Sequence, residues 1–382
     1  MLSDRPVSSE SMTARRPREN VGRYLPCFEL ESGGMATVYL ARAAEGMGFS
    51  RFVALKRIHP HLVAEPGFVE MFLDEANVLS RIVHPNVCTV YDFGEEERQY
   101  YIAMEYLMGE PLSRVARAMQ IEEAPEALGR TLAIVARVIA DACEGLHAAH
   151  ELRSPGGELL GVVHRDVSPQ NLFLTYDGAV KVVDFGLVRT SQAIHRTRTG
   201  IVKGKFAYLA PEALARRPVD RRADIWGLGV VLWELVTQQR LFYRESEVDT
   251  LMAVKTGVVP PPSTVRDDIP KALDAIVAKA LAQDPADRYR TAREMGQDLL
   301  RFAHGGPEPV GLADLSRWME RLFPAGRARK HELLEIASQL AASEMTTIFP
   351  RPPRVPGNAS AQRQGSTPPP AITEGRKLAL SS

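Results

Sequence analysis

Hydrophobic and polar positions alternate in two different rhythms along the chain. From Tyr24 to Tyr106 short strand-like runs dominate: Thr37–Ala41, Phe52–Ile58, Cys88–Phe93 and Tyr100–Glu105. One helical stretch interrupts them, Phe68–Ile82, where Met71, Phe72, Ala76, Leu79 and Ile82 recur at helical spacing. Met108-Gly109 ends this small α+β part. Helical spacing then takes over in Leu128–Ala149, Ala223–Thr237, Lys271–Ala282 and Ala292–Ala303. Two short strands, Asn171–Thr175 and Ala179–Val183, break that pattern around the turn Tyr176-Asp177-Gly178. The pattern predicts an α+β protein with a β-rich small lobe (21–107) and a mainly helical large lobe (108–303). Residues 304–345 continue in helical patterns, Leu312–Phe323 and Lys330–Ala342. Residues 1–20 read as a disordered polar arm and 346–382, with PRPPRVPGN and STPPPA, as a disordered Pro-rich tail.

Composition narrows the class. The 382 residues are 45% hydrophobic and 25% charged, enough to bury a large core. Formal net charge is zero, so no general attraction to nucleic acid or membranes follows. Cys27, Cys88 and Cys143 are odd in number and far apart, which argues for a reducing compartment and against a disulfide framework. The apolar run Leu228–Val236 is short and interrupted by Glu234, so no membrane span is predicted. The N-terminus has no apolar segment of the secretory type. The simplest location is cytoplasmic.

The chemistry concentrates in two segments. In VVHRDVSPQNLFL, Val162 to Leu174, the Asp166 carboxylate can orient a hydroxyl and accept its proton, and the Asn171 amide oxygen can hold Mg²⁺. In VKVVDFG, Val180 to Gly186, an apolar strand delivers Asp184 at its end, where a carboxylate can bind a metal bridging phosphates. Together, in this order and spacing, they resemble the HRD…N and DFG elements of protein kinases. Asp92-Phe93-Gly94 spells the same tripeptide but precedes the HRD segment, so Asp92 reads as a strand-end or turn residue.

HRDVSPQN, GKFAYLAPE and SGGMATVYLAR further resemble the bacterial, myxobacterial-type eukaryotic-like Ser/Thr protein kinases, over about residues 24–303. The resemblance implies a bilobal kinase fold that transfers the ATP γ-phosphate to Ser/Thr hydroxyls of protein substrates, with Mg²⁺ or Mn²⁺ as cofactor. It implies that Lys56, in Val53-Ala54-Leu55-Lys56, meets the phosphates and pairs with Glu75. It places the nucleotide against Leu30, Gly33, Gly34, Val38 and Ala54, with Met104 behind the adenine and Glu105 and Leu107 at its edge. The phosphate loop departs from the family pattern: Glu31 and Ala36 stand where the first and third glycines belong. Glu212 of Ala210-Pro211-Glu212 is implied to form a buried salt bridge with Arg288, and Asp224 to anchor the catalytic-loop backbone. Thr197 and Thr199 occupy the positions of activating phosphothreonines, with Arg165 as the phosphate's receiver.

Two departures belong together. The resemblance implies a Lys two positions after Asp166 and a Thr after Gly204, positions that the family fold brings close together; here they are Ser168 and Lys205. Lys205 is therefore expected to supply the missing charge beside Asp166; the bland alternative has it facing substrate or solvent. Two other roles remain open, a pseudokinase-like signalling scaffold, and a tail that docks an adaptor through its polyproline segments.

Overall fold

The computed structural model describes residues 20–44, 50–64, 67–119, 128–185, 205–306 and 308–348. The small lobe is a five-stranded antiparallel sheet of β1 (Tyr24–Ser32), β2 (Ala36–Ala44), β3 (Ser50–Ile58), β4 (Val90–Glu96) and β5 (Gln99–Glu105), ordered β1-β2-β3-β5-β4. After the short helix α1 (Pro60–Val63), α2 (Phe68–Ser80) buries Phe72 and Ala76 against Ile58 and Ile102 on one face of the sheet. Asp92 lies within β4 rather than at a strand end, and its carboxylate accepts from Arg23 at 2.8 Å and Tyr24 at 2.9 Å.

A second sheet, β6 (Gly109–Pro111), β7 (Leu172–Thr175) and β8 (Val180–Val182), opens the large lobe. The large-lobe helices are α3 (Leu112–Met119), α4 (Leu128–His150), α5 (Pro211–Leu214), α6 (Arg222–Thr237), α7 (Glu247–Thr256), α8 (Pro262–Val265), α9 (Lys271–Ala280) and α10 (Ala292–His304). α6 is buried on every side from Asp224 to Thr237, as a helix at the centre of a helical core must be. Gly227 lets it approach the HRD segment: a Cβ there would lie 2.9 Å from the Cβ of Val167. α11 (Leu312–Leu322) and α12 (Gly326–Ile348) follow. The two lobes and the chain to Ala342 form one compact unit; residues 343–382 are a second one, described only in the last residues of α12. Cys27, Cys88 and Cys143 are free and buried. Among the described residues no helix is long and apolar enough to cross a membrane.

Candidate active site

The HRD segment is held from below by α6. Asp224, 1% exposed, accepts from the backbone N–H groups of His164 and Arg165, both at 2.8 Å, and from His150 Nε2 at 2.7 Å. Burial alone would push its carboxyl up, but the hydrogen bond and charge of His150 and the donors at His164 outweigh that and hold it below the ordinary range. Arg165 takes a left-handed backbone, φ 64°, between these bonds and Asp166. His164 Nδ1 accepts the Asp166 N–H at 3.2 Å, so its proton is on Nε2, which donates to the Val183 carbonyl at 3.0 Å. One histidine thus ties the HRD segment to the strand that delivers Asp184.

Asp166 and Asn171 are also locked together. Asn171 Nδ2 donates to the Asp166 carbonyl at 2.8 Å and to Asp166 Oδ2 at 3.0 Å. That commits the amide nitrogen and leaves Oδ1 as the ligating atom of the side chain. Asn171 O accepts from Val183 N at 3.0 Å, which places Asn171 beside the end of β8. Asp184 follows with φ 52°, a second left-handed residue at the site. Oxygen donors of this kind suit a hard divalent cation.

Two lysines meet these carboxylates. Lys56 Nζ lies 2.7 Å from Asp184 Oδ1. Lys205 Nζ, from a 3₁₀ turn at Lys205–Tyr208, lies 2.6 Å from Asp166 Oδ2. Burial pushes the Asp184 carboxyl up, but the charge and hydrogen bond of Lys56, and then the charge of Lys205, bring it below the ordinary value. Ser168 is 2% exposed, and its Oγ finds no hydrogen-bond partner among the described residues.

A protein-kinase-domain family model matches residues 28–299. The chain belongs to the protein kinase family. The kinase is 40% identical over 352 residues to the tyrosine-protein kinase MasK of Myxococcus xanthus, covering 91% of this chain and 51% of that one. It is 36% identical over 293 residues to the serine/threonine-protein kinase PknB of Mycobacterium tuberculosis, covering 75% of this chain and 44% of the relative. It thus spans about half the length of these curated relatives. Among solved structures, the PknI kinase domain of Mycobacterium tuberculosis matches with 28% identity and a TM-score of 0.56, over 76% of this chain and all of that one. Kinases of this family use ATP and a divalent metal, generally Mg²⁺, and act on proteins.

The remaining residues of the kinase fall as follows. Glu75 is on α2, but its side chain lies outside the described residues, as do Thr197 and Thr199. Leu30, Gly33, Gly34 and Val38 belong to the β1–β2 hairpin, where Glu31 is exposed. Ala54 is nearly buried on β3. Met104 shares a small cavity with Lys56, Leu79, Cys88, Val183, Asp184 and Phe185. Glu105 donates its N–H to Thr89 O at 2.8 Å, and its side chain pairs with Lys181 at 2.8 Å. Leu107 O accepts from Gly109 N at 3.0 Å. Glu212 and Arg288 form a bidentate pair, both bonds 2.8 Å, with Arg288 stacked over Trp226. The tail beyond 348 lies outside the described residues.

Sequence reasoning passed over His59. Its Nε2 donates to the Gly33 carbonyl at 2.8 Å, and its backbone N–H donates to Met35 O at 3.0 Å. The tip of the phosphate loop is therefore held from the end of β3. Twenty-six residues separate His59 from Gly33, and no motif signals the contact.

Proposed function

We propose that the chain transfers the γ-phosphoryl group of ATP to Ser or Thr hydroxyls of protein substrates. The observation that carries this reading is the Asp166 carboxylate, set between Asn171 Nδ2 at 3.0 Å and Lys205 Nζ at 2.6 Å. Asp166 orients the acceptor hydroxyl and takes its proton. Lys205 sits beside that carboxylate, where a cation can follow the charge of the moving phosphoryl group. Asn171 Oδ1 and Asp184 would hold Mg²⁺ or Mn²⁺. When bound, such an ion would supply positive charge against the phosphates. Lys56, steadied by Glu75, fixes the α- and β-phosphates. Leu30, Gly33, Gly34, Val38 and Ala54 cover the nucleotide, with Met104 behind it and backbone groups of Glu105 and Leu107 at the adenine edge. Nothing in the site favours the scaffold alternative, since Lys56, Asp166, Asn171 and Asp184 are all in place.

Phosphorylation of Thr199, with Thr197, would activate the kinase by engaging Arg165. A buried Arg165 Nε without a partner among the described residues supports an anion there. The Pro-rich tail is a candidate adaptor-binding segment on composition alone.

A second reading, transfer to tyrosine, is favoured by the 40% identity to a relative named a tyrosine-protein kinase. Phosphoamino-acid analysis after incubation with labelled ATP decides between them, with Asp166→Asn as the inactive control. Phosphoserine and phosphothreonine are the expected products; phosphotyrosine alone overturns the Ser/Thr assignment.

A further inference from the structure

The last two helices lie outside the 28–299 span of the family match, yet they engage both lobes. α11 is large-lobe structure. Leu315, Trp318 and Met319 are buried in its core, and Asp314 pairs with Arg130 of α4 at 2.7 Å. Ser316 Oγ donates to the Tyr176 carbonyl at 2.7 Å, at the β7–β8 turn. α12 starts on the same turn: Arg327 pairs with Asp177 at 2.7 Å, and its guanidinium also donates to the Tyr176 carbonyl.

From there α12 crosses to the small lobe. Residues 326–342, within the same compact unit as both lobes, make a rod about 25 Å long. Leu333, Leu334, Ala337 and Leu340 recur at helical spacing on one side. Ala337 is fully buried in a cluster with Cys27 and Phe28 of β1 and Leu40 of β2, and the three leucines pack around it. Tyr106, the residue between Glu105 and Leu107, packs on the same cluster, and Lys330 Nζ lies 5.7 Å above its ring. Burial there holds the Lys330 ammonium below the ordinary lysine value, an effect opposed by Glu110 and added to by Arg114. The Tyr106 hydroxyl is itself buried without a hydrogen-bond partner among the described residues. Apolar packing and helix stiffness thus join α12 to the hinge, the chain connection between the lobes at Tyr106–Met108.

We infer that residues 326–342 are a positioning element of the nucleotide site, holding the hinge and the β1–β2 hairpin at a set distance from the large lobe. The chain connection at Tyr106–Met108 is one link between the lobes, and α12 is a second link behind it. ATP affinity then depends on a helix that the family domain does not include. The inference rests on the kinase reading for its ligand, ATP, but not for its geometry.

The test uses the whole chain with Ala337→Glu, which puts a charge into the buried contact. Leu333→Ala/Leu334→Ala serves as a milder companion if the first variant does not fold, and Ala337→Ser as the conservative rescue. Mg²⁺–ADP binding, KM for ATP, kcat at saturating ATP and hydrogen exchange of amides 101–109 are measured. The disrupted variants should bind ADP about tenfold more weakly and raise KM for ATP about tenfold, with kcat within about twofold. Their hinge amides should exchange faster, and Ala337→Ser should behave as the parent chain. A folded disrupted variant with unchanged ADP affinity and unchanged hinge exchange overturns the inference, as does one with raised kcat. A parent chain that binds ADP but phosphorylates no protein defeats the functional reading alone, because the binding and exchange measurements still report on α12.

Discussion

Lys205 and Asp166 are 39 residues apart in the chain and 2.6 Å apart in space. On the proposed function, Lys205 supplies from a different segment the cation that Ser168 does not. A preorganised charge of this kind acts where negative charge develops, and removing one such donor costs about 10²–10³ in rate. Lys205→Ala should therefore lower kcat by about 100-fold, roughly 3 kcal/mol, with a smaller change in KM for ATP. Lys205→Arg should keep part of the rate. Steady-state kinetics with a protein substrate checks both, and a near-parental kcat in the alanine variant contradicts the assignment. Asp224 acts on stability instead. Its folded carboxyl is held below the ordinary value of 3.8, so its contribution is present above that pH and is lost as pH falls through the lower, folded value. Asp224→Asn should destabilise the chain at pH 7 by about 2 kcal/mol, by mismatching three buried donors. It should also flatten the dependence of stability on pH below about 4, read from urea unfolding at a series of pH values.

At the level of elements, the β7–β8 turn shows how a short motif becomes a seat. Gly178 has φ 87°, which only glycine adopts without strain, and a Cβ there would collide with the Leu312 carbonyl at the start of α11. Gly157 has nearly the same backbone, φ 86°, but open space around it. Gly157→Ala should thus cost about 1 kcal/mol from backbone strain alone. Gly178→Ala should cost clearly more, and the difference in melting temperature isolates the contact with α11. Some elements gave no sequence signal. α7 buries only Thr250 and Val254, while Val248 and Met252 are 68% and 50% exposed, so no apolar stripe marks it. The β4–β5 turn is made by Glu97 and Arg98, at φ 47° and 63°, without the glycine or asparagine that usually announces such a hairpin. β6 escaped notice because three residues, Gly109–Pro111, carry no period of their own and form a strand only against β7.

Across the whole molecule, one buried ion pair fastens the segment after Lys205 to the far side of the large lobe. Arg288 is fully buried and Glu212 nearly so, and Arg288 also donates to the Ala282 and Arg222 carbonyls. Breaking such a pair strands a buried charge, at a cost of about 3–5 kcal/mol. Arg288→Ala should lose about that much in denaturant unfolding, and the loss should reach activity through Lys205, seven residues before Glu212. The HRD and DFG segments, four of the five small-lobe strands (all but β1) and the helical large lobe were legible along the chain. Their signals are local: residue type at fixed spacing and the 2- and 3.6-residue periods. The order of the two DFG tripeptides also sufficed to set Asp92 aside. Folding alone decided the rest, because contacts such as Lys56 with Asp184, His59 with Gly33 and Ala337 with Leu40 join positions that no short-range pattern relates. The chain by itself determined which groups could do phosphoryl chemistry. The tertiary structure decided which of them share a carboxylate, and brought a helix outside the family domain against the hinge.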